Sequence, residues 1–267
     1  INEAAEINSD FKNYIEAPEN QPKVAKLKAN ILQAVLAPAL EKYRALWFAM
    51  NALPGAPTNY AGDELAMTGW ETPCKNEKQQ NRNPLRWDRL DDDNYAFIKD
   101  FKRKLDDISK VRTLDAASAL SNGAIIHLYD QQIKGGGKAL ALYRYNDKTD
   151  AICILNNDYF SADNNSTGKE SYLDYIDLGN LPFGLQKGTI YVDALNKNNK
   201  FKVTDDYKIE KINDKGDTEG EIYLGNAGLI LLRESDFKNK KFSFKGRIEN
   251  ANVKLANTKY NFSYMNK

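Results

Sequence analysis

Apolar and polar positions alternate on two different rhythms along the chain, and the change between them falls near residue 122. Before it the rhythm is helical. From Pro22, a residue suited to a first helical turn, Val24, Leu27, Ile31 and Val35 recur at three- and four-residue steps. Pro38 is expected to interrupt that helix and start another, with Leu40, Tyr43, Leu46, Trp47 and Met50 on its apolar face, ending before Pro54-Gly55. The aromatic stripe reads as core packing. A further helix is capped by Asp91 to Asp93 and carries Tyr95, Ile98, Phe101, Leu105 and Ile108 on one side. A short helix from Asp115 closes at Asn122-Gly123.

After residue 122 the runs are short, β-branched and aromatic, and separated by turn residues. Strands are expected at Ala124–Leu128, Ala139–Tyr145, 151–156, 189–193, 207–212, 221–224 and Gly228–Arg233. Gly135-Gly136-Gly137, Asn146-Asp147 and Asn213-Asp214-Lys215-Gly216 punctuate them as turns. The glycine triplet lacks the following helix and the Lys-Ser/Thr pair of a phosphate loop, so it reads as a hairpin tip. Strands at this spacing predict an antiparallel sandwich. Beyond residue 235 two or three more strand-like runs follow, as an edge hairpin or the start of a further module.

Between the helices lies a stretch of another kind, residues 53–88, LPGAPTNYAGDELAMTGWETPCKNEKQQNRNPLRWD. Pro54-Gly55 and Pro57 open it, residues 58–61 read as a short buried strand, and Gly62 frees the backbone to turn, delivering Asp63 and Glu64. A long polar loop with Trp70, Arg86 and Trp87 follows. This wording resembles the α-amylase family of glycoside hydrolases (glycoside hydrolase family 13). There an LPGTPxIYYGDE-like segment marks the eighth barrel strand and an NRxPMxWD-like loop follows it. Residues 139–156 are similar to the hairpin of the family's domain after the barrel, and Gly228–Arg233 to its closing strand. The resemblance implies an α+β chain: the C-terminal part of a (β/α)8 barrel, mostly helical, over residues 1–122; an antiparallel β-sandwich over 123–235; and extra strands or a further module over 236–267.

The resemblance also implies the chemistry. A retaining glycosidase needs two carboxylates flanking the scissile bond, one of them kept protonated as the acid. The family supplies an Asp nucleophile after the fourth strand, a Glu acid/base after the fifth and an Asp stabiliser after the seventh. The first two are expected upstream of this chain. Asp10, in Ile7-Asn8-Ser9-Asp10, is the candidate for the third; the family reads Asn-His-Asp, so Ser9 departs from it, and a solvated polar N-terminus accounts for the same residues. Asp63 and Glu64 are expected to support the barrel mouth, because adjacent carboxylates at a strand end point to opposite sides. Trp70, Arg86 and Trp87 either present a sugar-facing surface or anchor the loop, with Arg86 holding a neighbour such as Asp88.

Composition narrows the partners. The 267 residues are 42% hydrophobic and 28% charged, and 38 basic residues against 37 acidic leave no field that favours nucleic acid or an anionic membrane. No apolar run approaches the ~20 residues of a membrane span. The opening INEAAEINSD reads as neither a signal peptide nor a natural start. Cys74 and Cys153 are expected as free thiols, His127 as a structural histidine, and the one histidine and two distant cysteines argue no metal site. No cofactor or metal is expected. The expected partners are an α-glucan or maltooligosaccharide and the N-terminal part of the same enzyme, with a secreted or cell-surface bacterial location preferred to the cytoplasm. The expected function is hydrolysis or transfer at α-glucosidic bonds of starch-like glucans, by a chain inactive alone. The alternatives are a non-catalytic carbohydrate-binding or structural module, and a regulatory relative that has lost the carboxylates.

Overall fold

A 32-residue helix, α2 (Gln21–Ala52), dominates the first part of the chain, preceded by α1 (Ser9–Glu16) and a 3-10 turn at Pro18–Asn20. The computed structural model describes residues 9–67, 84–129, 132–135, 138–157, 172–179, 181, 185–225 and 227–238. Trp70, Cys74, Gly136, Gly137 and the strands expected after residue 238 lie outside these.

The helix runs through Pro38, which corrects the expected break. A proline in a helix interior loses one N–H bond and crowds the carbonyl four residues back, at a cost of about 3 kcal/mol. Buried residues on both sides of it, Val24 and Ala29 before and Ala45, Trp47 and Phe48 after, hold the axis continuous, and Ala34, Ala37 and Ala39 favour helix around it. The second half of α2 packs on α3 (Ala96–Arg112) through Trp47, Phe48, Phe101, Leu105 and Ile108. Tyr43 meets Phe101 edge-on at 6.0 Å, and the Trp47 indole N–H reaches Ser109 Oγ at 3.0 Å. Asp92 accepts the N–H of Asn94 before α3, and Lys110 and Arg112 sit at its end, as the helix dipole favours. A 3-10 turn (Asp115–Ala117) and α4 (Ser118–Asn122) lead to the sheet.

The strands are β1 (Ala124–Leu128), β2 (Ile133–Lys134), β3 (Ala139–Tyr145), β4 (Asp150–Asn156), β5 (Tyr172–Leu173), β6 (Tyr175–Asp177), β7 (Ile190–Asp193), β8 (Lys200–Val203), β9 (Lys208–Ile212), β10 (Ile222–Tyr223) and β11 (Gly228–Arg233), with α5 (Glu234–Lys238) after them. Among the described residues nine strands form one sheet in the order β1-β3-β4-β11-β7-β8-β9-β6-β2; β10 and β5 form a two-stranded pair. All pairings are antiparallel. The sheet rolls, so that Leu128 of β1 shares a core with Ile176 of β6, Phe201 of β8 and Ile209 of β9. Its other face, through Leu142, Cys153, Ile230 and Leu232, packs on the helices. Covered on both faces, β4 is buried along its whole length and reads as an apolar run rather than an alternation. Residues 58–61, expected as a buried strand, are irregular. An extended segment becomes a strand only when a neighbour pairs with it, and none of the described residues does.

Two arginines join helices to sheet. Arg144 of β3, fully buried, donates through Nη1 to Ala52 O at 2.6 Å, through Nη2 to Gly123 O at 2.9 Å and through Nε to Ala124 O at 3.2 Å. Arg112 donates through Nη1 to Asn51 O at 2.6 Å and Leu53 O at 2.9 Å, and through Nη2 to Gly55 O. Carbonyls at a helix end have no intrahelical donor and carry the negative end of the dipole, so both guanidinium groups are stabilised where burial alone would expel them. Replacing Arg144 with Met leaves three carbonyls without these donors. At about 1–3 kcal/mol for a buried unsatisfied group, the variant is expected to lose roughly 3 kcal/mol or more in urea unfolding. Arg144→Lys, which lacks the fork, is expected not to restore it.

Asp193 closes β7, buried, with its Oδ1 accepting the Leu195 N–H at 3.0 Å. Burial pushes its carboxyl up to about 6. Between about pH 4 and pH 6 the folded chain therefore keeps a proton that the unfolded chain has released, and stability falls as pH rises through that window. The loss is roughly 3 kcal/mol, complete above about pH 6. Urea midpoints measured from pH 4 to pH 7 are expected to fall more steeply in the wild type than in Asp193→Asn.

Candidate functional site

The chain leaves α2 at Leu53 in extended conformation and turns at Gly62, whose φ of 105° is left-handed. A Cβ there would lie 2.9 Å from Met67 Sδ, so both conformation and space call for glycine. The Gly62 carbonyl accepts the N–H of Leu65 at 3.0 Å and of Met67 at 3.1 Å. A 3-10 turn, Asp63–Leu65, follows with Leu65 buried.

Both carboxylates of the turn have partners within it or on α2. Glu64 Oε2 accepts the Gly62 N–H at 3.0 Å and Asn59 Nδ2 at 2.9 Å. The Tyr43 hydroxyl lies 2.9 Å from Asp63 Oδ2 and also contacts Asn59 Oδ1. Burial first, then the Asp63 carboxylate beside it, raise the Tyr43 pKa, so the phenol remains a donor. Tyr43, Asn59, Asp63 and Glu64 thus form one tie between the turn and the long helix.

The rim residues come from a second 3-10 turn, Trp87–Leu90. Arg86 clasps Asp88 with two parallel bonds, Nε to Oδ1 at 2.9 Å and Nη2 to Oδ2 at 2.7 Å, which holds the Asp88 carboxyl below its usual range. Trp87 is 48% exposed. Arg89 turns the other way: it is buried, donates to Leu65 O at 3.2 Å, and lies 5.4 Å from the Tyr95 ring centroid. Arg89 therefore docks the rim turn on the Asp63–Leu65 turn. Sequence reading missed it, since an arginine between Asp88 and Leu90 carries no local mark of burial.

Asp10 is not brought to this group. It is exposed in the first turn of α1, which packs at the start of α2. Tyr43, the anchor of Asp63, lies 22 residues beyond Gln21, roughly 33 Å along the helix at 1.5 Å per residue. His127, expected as structural, is exposed on the edge strand β1, with its ring 5.1 Å from that of Tyr129. Cys153 is a free, buried thiol pushed up to about 12 by burial, so it stays protonated at neutral pH. Among the described residues no group of three or more His, Cys, Asp or Glu side chains is placed to hold a metal ion. Among the described residues no helix is long and apolar enough to cross a membrane.

A second ionic group went unread in the sequence. Asp150 of β4, buried, accepts Tyr143 Oη at 2.6 Å, Tyr191 Oη at 2.9 Å and Arg233 Nε at 2.7 Å. Its four members come from β4, β3, β7 and β11, with Arg233 lying 83 positions from Asp150 in the chain and beside it only in the sheet. Its donors leave the carboxylate no unpaired oxygen, and it works as a lock between strands.

No family model and no curated protein matches the chain. Among solved structures it is similar to a maltogenic amylase from S. marinus, at 15% identity over 72% of this chain and 19% of that one, with a TM-score of 0.40. It is similar to an Anoxybacillus α-amylase at 17% identity, 72% and 32% coverage and a TM-score of 0.42. A cyclomaltodextrin glucanotransferase, CldA, matches at 17% identity, 74% and 32% coverage and a TM-score of 0.39. The chain spans about a fifth to a third of the length of these structures.

Tyr43→Phe is expected to lower stability by about 1 kcal/mol, the ordinary worth of a hydrogen bond. Glu64→Ala, which removes the acceptor of two donors, is expected to cost more. Urea unfolding followed by tryptophan fluorescence checks the order.

Proposed function

We propose that the chain is the C-terminal part of an α-amylase-type glycoside hydrolase that acts with retention on α-glucosidic bonds of starch-like glucans. The nucleophile Asp and the acid/base Glu belong to an upstream part, and this chain alone is inactive. The observation that carries the reading is the turn of residues 53–67. It has the family's eighth-strand wording, and its two carboxylates are engaged by Tyr43, Asn59 and the Gly62 N–H. Carboxylates bonded in this way hold a frame; neither has the unengaged, opposed position that glycoside cleavage requires.

The exposed face of α2 supports the need for an upstream part. Leu27, Ile31 and Val35, at four-residue steps, are exposed, with Val35 at 69%. Such a stripe on a helix is normally buried against another element. The upstream barrel part is the partner proposed for it. Asp10 remains the proposed third carboxylate, brought near the reacting centre only in the completed barrel.

A second reading is favoured by Trp87, exposed beside the Arg86–Asp88 pair: a non-catalytic module that holds glucan on that surface. One experiment separates the two. The 267-residue chain is incubated with maltoheptaose alone and with the upstream gene product supplied as a separate chain. No turnover alone and turnover on mixing are expected. Ile31→Asp with Val35→Asp is expected to prevent reconstitution by at least tenfold while the variant's circular dichroism is unchanged. Turnover by the chain alone would overturn the assignment of the catalytic carboxylates upstream.

A further inference from the structure

A cleft of about 360 Å³ lies where α3 passes the loop after β7 and the turn between β10 and β11. That volume is at the small end of the roughly 300–1,000 Å³ of ligand pockets. It is separate from the Gly62 turn and from the Trp87 rim, and neither motif of residues 53–88 contributes to it.

The walls differ in kind. On the sheet side Tyr223 of β10 is 44% exposed, and its ring is backed by Tyr172 of β5 with centroids 5.2 Å apart. Leu195, 38% exposed, also lines the cleft. On the helix side stand Arg103 and Asp107 of α3, and Asn196 and Asn199 add amide groups that both donate and accept. Arg44 of α2 closes the group. Its Nη2 holds Glu41 at 2.7 Å, and its Nε is buried with no acceptor among the described residues.

The charges decide the class of ligand. Each cation of the cleft already has a carboxylate: Arg44 has Glu41, Arg103 has Asp100 at 2.7 Å and Asp107 at 3.0 Å, and Lys104 has Asp100 at 2.8 Å. A phosphate or carboxylic acid would have to displace these pairs. A neutral polyol does not, because it uses the remaining donor and acceptor positions of the same planar groups and lays its C–H face on an aromatic ring.

We propose that this cleft is a non-catalytic sugar site holding a short segment of a neutral α-glucan, with the Tyr223 ring as platform and Arg103, Asp107, Asn196 and Asn199 as the hydrogen-bonding rim. The sugar site stands on the cleft itself; the α-glucan class rests on the function proposed above. Titration calorimetry of the full chain carrying Trp70→Ala and Trp87→Ala, so that those two indoles contribute nothing, tests it with maltoheptaose and cellohexaose. Maltoheptaose is expected to bind, at least tenfold more weakly after Tyr223→Ala and at wild-type strength after Tyr223→Phe. Arg103→Ala, at an exposed position whose ion pairs lie on the surface of α3, is expected to weaken it several-fold. No binding of either sugar, or binding indifferent to both Tyr223→Ala and Arg103→Ala, overturns the site. Binding of cellohexaose alone, lost in Tyr223→Ala, keeps the sugar site and overturns the α-glucan class together with the function proposed above.

Discussion

The end of the long helix is the point on which the architecture depends. A 32-residue helix presents its last carbonyls without intrahelical donors and with the negative end of its dipole. Arg112 reaches them from the neighbouring helix and Arg144 from the third strand. Arg144 also binds the carbonyls of Gly123 and Ala124, where the chain enters the sheet. One side chain thus fixes the helical layer, the entry to the sheet and the start of the segment that carries Gly62. Hydrophobic burial alone sets no such register, because it is non-directional; the fork of a guanidinium does.

The same economy of buried charge recurs inside the roll. Asp150 is desolvated, and an isolated carboxylate there would cost several kcal/mol. Two phenols and a guanidinium surround it, so the carboxylate costs little and the four strands cannot slide past one another without breaking it. Asp193 shows the opposite case, a carboxylate in a buried strand end whose proton burial makes harder to remove, although the backbone donors around it act the other way. Among the described residues these buried polar groups set registers between strands.

The turn of residues 53–67 has to be understood in that light. Its motif draws attention to Asp63 and Glu64 as a pair, yet each is already an acceptor for a neighbouring donor. The rim of Arg86, Trp87 and Arg89 is divided by direction: Arg86 pairs along the surface, Trp87 faces solvent and Arg89 enters to bind the carbonyls of the Asp63–Leu65 turn. The segment is thus a turn and a loop tied to the long helix and to each other.

Local physics made much of this legible before any coordinates. The three-and-four spacing of Leu40, Tyr43, Trp47, Ile98, Phe101 and Leu105 marks two helices that pack on one another, and the short apolar and aromatic runs of β1, β3 and β11 mark strands whose bounds match, because each signal is contained in its own segment. Gly62 was readable as a turn for the same reason. Continuity through Pro38 was not, since it depends on burial at Val24 and Phe48, well away from it on either side. Nor was the absence of a strand at 58–61, which turns on whether a partner lies alongside, nor the burial of Arg89, Arg144 and Asp150, whose partners lie up to 92 positions away. The sequence by itself determined which segments coil and which extend, and the wording of one turn. Only the tertiary structure decided which charges are buried and what each one holds, because the energy of a buried charge is set by the donors and acceptors that folding brings to it.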